Sequence, residues 1–146
     1  MCLAIGAAGF AIDAWVVTER EQVEAQIISL VRDFESGDQH RTLAHFSELA
    51  IVERLMVGAG MNLVSVAHPL SLKDFSIELS HEDSVATTRF RANGEVLVNG
   101  RSVGHQATFW ELRWRKEADA WKVIAVQELD PIRGTPQNRA ATFTAK

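Results

Sequence analysis

Residues 104–129, GHQATFWELRWRKEADAWKVIAVQEL, hold three of the chain's four tryptophans in a strictly alternating pattern. Trp110, Leu112 and Trp114 alternate with Phe109, Glu111, Arg113 and Arg115. A period of two sends the two sets to opposite faces of a sheet. The run Glu117-Ala118-Asp119-Ala120 then reads as a turn, after which Trp121, Val123, Ala125 and Leu129 repeat the apolar alternation. Pairing Lys116 with Trp121 sets Trp114 opposite Val123 and Leu112 opposite Ala125. One face then carries Trp110, Leu112, Trp114, Trp121, Val123, Ala125 and Leu129. Each large aromatic removes roughly 150–250 Å² from water. At about 25 cal/mol per Å², this face is the main expected source of core stability. The opposite face mixes Phe109, Ile124 and Val126 with Glu111, Arg113, Arg115, Lys122 and Glu128. It is too apolar for a plain wet face and too charged for a core.

The rest of the chain supplies what this sheet can pack against. At 146 residues it is long enough for one domain with a real core. Thr18-Glu19-Arg20-Glu21 has the form of a capping box. Val23, Ile27, Leu30, Val31 and Phe34 follow as one helical stripe, with Gly37 as its stop. Asp38 is placed to cap a short second helix with Leu43 and Phe46 inward. Ser47 is placed to cap a third, with Ile51, Val52, Leu55 and Met56 inward and Gly58 and Gly60 ending it. Residues 61–71, which include Pro69, read as irregular or as a short edge strand. Residues 72–79 alternate, with Phe75, Ile77 and Leu79 on one side. His81-Glu82-Asp83 reads as a turn before a long strand from Ser84 to Val98. Asn99-Gly100 is the expected hairpin turn, and Asn93-Gly94 a bulge or bend. The order predicts an α+β fold: three N-terminal helices packed on one face of a curved antiparallel sheet of about four strands. The domain is expected over residues 18–131. Residues 132–146, polar and broken by Gly134 and Pro136, read as a loose tail.

Residues 1–17, MCLAIGAAGFAIDAWVV, are the least ordinary segment. As a helix they would span about 25 Å at 1.5 Å per residue, a little short of the ~20 apolar residues a crossing needs. No Lys or Arg precedes the apolar run, which makes a poor secretory signal. Three uses compete: a membrane anchor, an apolar arm packed on the domain or on a partner subunit, and a cleaved signal. The chain is therefore expected to be membrane-associated through this single segment or cytoplasmic. The formal charge of −4 gives no basic footprint for nucleic acid. A single cysteine, Cys2, excludes an intrachain disulfide and a cysteine-based zinc site.

The capped first helix ending in FESGD at residues 34–38, the short helix with Leu43 and Phe46, and the closing FWELRWRKEADAWKVIAVQELDP at residues 109–131 together resemble the NTF2-like superfamily. That superfamily includes SnoaL-like and ketosteroid-isomerase-like proteins and is also called the cystatin-like α+β cone. The resemblance covers roughly residues 18–131 and implies a cone with a pocket between sheet and helices. It is specific for fold and weak for function, since the fold hosts many chemistries. On the register above, Trp110, Gln127 and Leu129 line the pocket side, with Arg91 a further candidate and His45 the histidine nearest it. Isomerases of the resemblance rely on a tyrosine with a carboxylate base, and this chain has no tyrosine, so that chemistry does not carry over. Its dehydratases use tyrosine together with His and Asp, and the same absence weighs against them.

General acid–base work needs a His or carboxylate beside a second polar group in a dry pocket. The five histidines are His40, His45, His68, His81 and His105. They form no HxH or HExxH pattern, so no metal site or cofactor is expected. The function expected is a non-catalytic domain, held at a membrane by its N-terminus, that binds a small apolar ligand or a protein partner. The alternative is a small-molecule lyase, isomerase or cyclase using His45 or a pocket carboxylate. The charged sheet face, with Phe109, Glu111, Arg113, Arg115, Ile124 and Val126, is a candidate for twofold pairing of two copies.

Overall fold

The structure is a computed structural model and describes residues 17–67 and 69–137. The proposed anchor, but for Val17, therefore lies outside the described residues. Among the described residues, no helix is long and apolar enough to cross a membrane.

Thr18 opens helix α1 (Glu19–Glu35) with the expected capping box. Its hydroxyl accepts from the Glu21 N–H at 3.2 Å, and the Glu21 carboxylate accepts from the Thr18 N–H at 3.1 Å. Two otherwise orphaned donors are thereby satisfied. The stripe of Val23, Ile27, Leu30 and Val31 is buried against the sheet. Gly37, at φ +76°, lets the chain leave the helix. Asp38 caps α2 (Gln39–Ala44) by accepting from the Arg41 N–H at 3.0 Å.

Helix α3 (Ile51–Leu63) departs from expectation. Ser47 is not its cap. The Ser47 N–H donates to the Val123 carbonyl at 2.8 Å and its hydroxyl to Glu117 at 2.9 Å. The helix starts after Ala50 with no side-chain cap. Ile51, Val52, Leu55 and Met56, expected inward, are 63, 64, 69 and 56% exposed. The side turned to the domain carries Val57 and Gly58. A Cβ on Gly58 would meet the end of the Gln39 side chain at 2.9 Å, so the bare glycine leaves that amide room against α3. The sequence IVERLMVGAGMNL is apolar almost all round, and its period could not choose the buried side.

The sheet contains β1 (Val64–Val66), β2 (Ser71–Ser80), β3 (Val85–Val98), β4 (Arg101–Glu117) and β5 (Ala120–Leu129). Neighbours run β1-β3-β4-β5, with β2 also paired to β3, all antiparallel. Asn99-Gly100 is the β3–β4 turn, with both residues at positive φ (52° and 78°). Asn93-Gly94 is not a bulge: the two pair regularly with Ala107 and Gln106. A Cβ on Gly94 would lie 2.7 Å from a Leu70 methyl and would have to push that side chain aside.

The β4–β5 register holds near the turn and changes beyond it. Lys116 faces Trp121 and Trp114 faces Val123, as the sequence predicts. Arg113 then faces Ala125, leaving Ile124 as an extra residue. One inserted residue inverts the facing of everything that follows. Leu112 therefore faces Val126 rather than Ala125, Trp110 faces Glu128, and Phe109 faces Leu129. Val126 turns to the core face and packs against the buried cluster. Ala125, Gln127 and Leu129 move to the outer face.

Leu129 stays buried there because the chain folds back over it. The Asp130 carboxylate accepts from the N–H groups of Ile132 and Arg133, both at 2.8 Å. Gly134 follows at positive φ, Leu129 bridges Pro136, and the Gln137 N–H reaches the Glu128 carbonyl at 2.8 Å. Residues 132–137, expected as the start of a loose tail, thus belong to the folded unit. Between the sheet and α1 the core centres on Trp114, Val123, Ala86, Val23 and Ile27, all at 0% exposure.

Candidate functional site

His45 follows α2 as its C-terminal cap residue. Its backbone is pinned to the edge of β5: its carbonyl accepts from the Val123 N–H at 2.9 Å, and Phe46 bridges Val123. The ring is thereby held over α1. There, Nε2 lies 2.7 Å from an Asp33 carboxylate oxygen and Nδ1 lies 3.3 Å from the Gln26 side-chain oxygen. Gln26 and Asp33 are seven residues apart, two helical turns, so both sit on one face of α1. Both ring nitrogens are engaged inside the protein. The side chains of His45 and Asp33 are only 12% and 23% exposed. Sequence analysis names His45 but not Asp33, and so misses this pair. The available signal was the seven-residue spacing of Gln26 and Asp33.

Beside it, an open cleft of about 880 Å³ lies between α2, the start of α3 and the β4–β5 turn. Leu43, Phe46 and Leu49 supply its apolar lining, and His40, Glu48, Arg54, Glu117 and Lys122 its charged and polar rim. Glu117 accepts from Arg115 and from the Ser47 hydroxyl. The Arg115 guanidinium first, and then Ser47, hold its carboxyl below the usual carboxylate range against the opposing cost of desolvation. The same end of the sheet holds a second ion pair. Glu19 accepts from Lys116 at 2.5 Å and from the Trp121 indole at 3.0 Å. The Lys116 contact, then the indole, lowers the Glu19 pKa, and Glu19 in turn raises that of Lys116.

No family model matches the chain, and no curated protein matches it. Solved structures do. An NTF2-like protein of unknown function in nutrient uptake from Rhodospirillum rubrum matches at 14% identity and TM-score 0.59, over 71% of this chain and 93% of its own. One from Cytophaga hutchinsonii matches at 11% identity and TM-score 0.60, over 75% and 96%. A third, with a cystatin-like fold, from Novosphingobium aromaticivorans, matches at 16% identity and TM-score 0.55, over 92% of each chain. The fold is NTF2-like. At such identities the likeness extends to architecture and no further.

In this NTF2-like domain the five residues expected around one pocket fall in three places. His45 is the strut between α1 and α2. Trp110 lies on the inner face, packed on the core cluster, its indole N–H donating to the Thr108 hydroxyl at 2.9 Å. Arg91, Gln127 and Leu129 gather on the outer face, opposite to expectation. Arg91 pairs with Phe109, which pairs with Leu129, so the three share a side of the sheet. The Arg91 guanidinium lies 4.4 Å from the centre of the Phe109 ring, donates to the Pro131 carbonyl at 2.8 Å and meets Asp74 at 3.1 Å. The Gln127 amide donates to the Glu128 and Gln137 carbonyls.

The same bulge brings Glu128, expected outside, to the face of Trp110. A carboxylate therefore sits on the inner face of the sheet. Among the described residues, no group of three or more His, Cys, Asp or Glu is arranged to hold a metal ion.

Of the outer-face candidates, Glu111 is paired with Arg89 at 2.8 Å and Arg115 with Glu117. Phe109 lies under Arg91, and Val126 faces inward. Arg113 and Ile124 remain as the outer-face candidates not tied to these contacts.

Proposed function

We propose that this NTF2-like domain is a non-catalytic binding module that takes a small, largely apolar ligand or an apolar protein segment in the cleft beside α2. The occupancy of His45 supports this reading most directly. With Nε2 at Asp33 and Nδ1 at Gln26, neither nitrogen is free to move a proton on a substrate. The cleft, at about 880 Å³, lies in the ~300–1,000 Å³ range of small-molecule sites, and Leu43, Phe46 and Leu49 line it among polar groups. Titrating the isotope-labelled domain with a panel of aliphatic and aromatic carboxylic acids and alcohols is expected to shift amide signals of Leu43, Phe46 and Leu49. Leu43→Glu is expected to abolish the shifts. A panel that moves only signals elsewhere, or none, removes the reading.

A second reading, a small-molecule lyase, isomerase or cyclase, rests on the 2.7 Å Asp33–His45 contact. It requires substrate to release one ring nitrogen from α1. Turnover that disappears in a folded His45→Gln variant would replace the binding reading.

Two further proposals concern surfaces. Twofold pairing through the outer sheet face rests on Arg113 and Ile124. Arg113→Glu is expected to reduce the sedimenting mass from dimer to monomer, and an unchanged mass ends that proposal. Membrane association rests on the apolar sequence of residues 1–17 alone. The exposed side of α3 offers that stretch a competing, inward use.

A further inference from the structure

Helix α3 carries its apolar side chains on the wrong side for a domain that ends there. Ile51, Val52, Leu55, Met56 and Leu63 are each more than half exposed. Their spacings of 1, 3, 1 and 7 place them along one side of the helix, opposite Val57. A single exposed leucine needs no account. Five exposed large apolar side chains gathered on one helical face are the kind of contiguous patch that marks an interaction surface.

We infer that residues 1–16 of the same chain are the occupant of this face. The inference goes beyond the cleft reading and stands or falls without it. Three observations support it. The first is chemistry. Residues 1–12, MCLAIGAAGFAI, carry no charged side chain, as an uncharged apolar seat requires.

The second is position. Glu19, two residues after Val17, is tied to Lys116 and Trp121. Ser47, whose carbonyl accepts from the Ala50 N–H just before α3, is tied to the adjacent Glu117. The segment therefore enters the domain at the end of the sheet where the exposed face begins.

The third is reach. Thirteen residues of α3 span about 20 Å. The covalent limit for sixteen residues is about 50 Å, more than enough to run its length.

The single cysteine, Cys2, provides the probe. A nitroxide attached there in the full chain is expected to reduce the amide signals of Val52, Leu55 and Met56 by at least half. The 81–84 turn should be unaffected. The loss should persist when labelled protein is diluted into unlabelled, nitroxide-free protein. Leu55→Gln with Met56→Gln, which changes only exposed positions, should restore signals on the rest of α3 without altering the sheet spectrum. The inference is overturned if α3 signals keep their intensity. It is overturned equally if the loss arises only from a nitroxide on another copy, which would make a second copy the occupant. Flotation of the full chain with phosphatidylcholine vesicles, with α3 signals restored, would assign residues 1–16 to lipid and overturn it too.

Discussion

Trp114→Ala is expected to cost about 3–5 kcal/mol and to leave the domain near the edge of folding. Trp114 has no exposed surface and sits where β3, β4 and β5 meet beneath α1. Its indole N–H donates to the Thr88 hydroxyl at 3.0 Å, and that hydroxyl is 3.2 Å from the Leu112 carbonyl. Truncation removes the largest fully buried side chain and strips a partner from a hydroxyl that has no access to water. Urea unfolding should show a much lower midpoint with an unchanged slope. Trp114→Phe should cost less, because the ring volume is largely kept and Thr88 still donates to Leu112. A loss under about 1 kcal/mol for the alanine variant would mean that the sheet register is wrong.

His45→Leu is expected to destabilise by about 1–3 kcal/mol, because it leaves the Asp33 carboxylate and the Gln26 amide without their partner in a half-buried seam. The decisive measurement is a double-mutant cycle with Asp33→Ala. If the ring is a strut, the double variant should lose less than the sum of the singles, by about 0.5–3 kcal/mol. Additive losses would show that the contact carries little, and the seam would then be free to open for chemistry. The cycle thus tests, without any substrate in hand, whether the ring is held as the binding proposal requires.

The parts of the fold legible in sequence are those set by short-range rules. The capping box at Thr18, the Asp38 cap and the Asn99-Gly100 turn each depend on a few neighbouring residues with one dominant outcome. The pairing of Trp114 with Val123 was legible because the turn lies so close. The bulge at Ile124 was not. Val123, Ile124, Ala125 and Val126 are apolar at both parities, so the alternation survives an inserted residue unchanged.

That single insertion explains why Leu129, Gln127, Val126 and Glu128 were all assigned to the wrong side. The buried side of α3 was hidden for a related reason, since a nearly all-apolar helix has no preferred direction. Asp33 and His45 were hidden by distance, being brought together only when α2 docks on α1. In the return after Leu129, Gly134 and Pro136 read in sequence as breakers of a loose tail. Their role as a local turn depends on the Asp130 carboxylate capturing two backbone donors.

At one edge of the sheet, β5 is occupied at both ends by its own chain. Residues 45–47 bond to Val123 at one end, and residues 136–137 bridge Leu129 and Glu128 at the other. A strand margin with free donors and acceptors is a template for intermolecular strand addition and, in time, for fibrils. Here any incoming strand would first have to dislodge two segments, which disfavours strand addition along this margin.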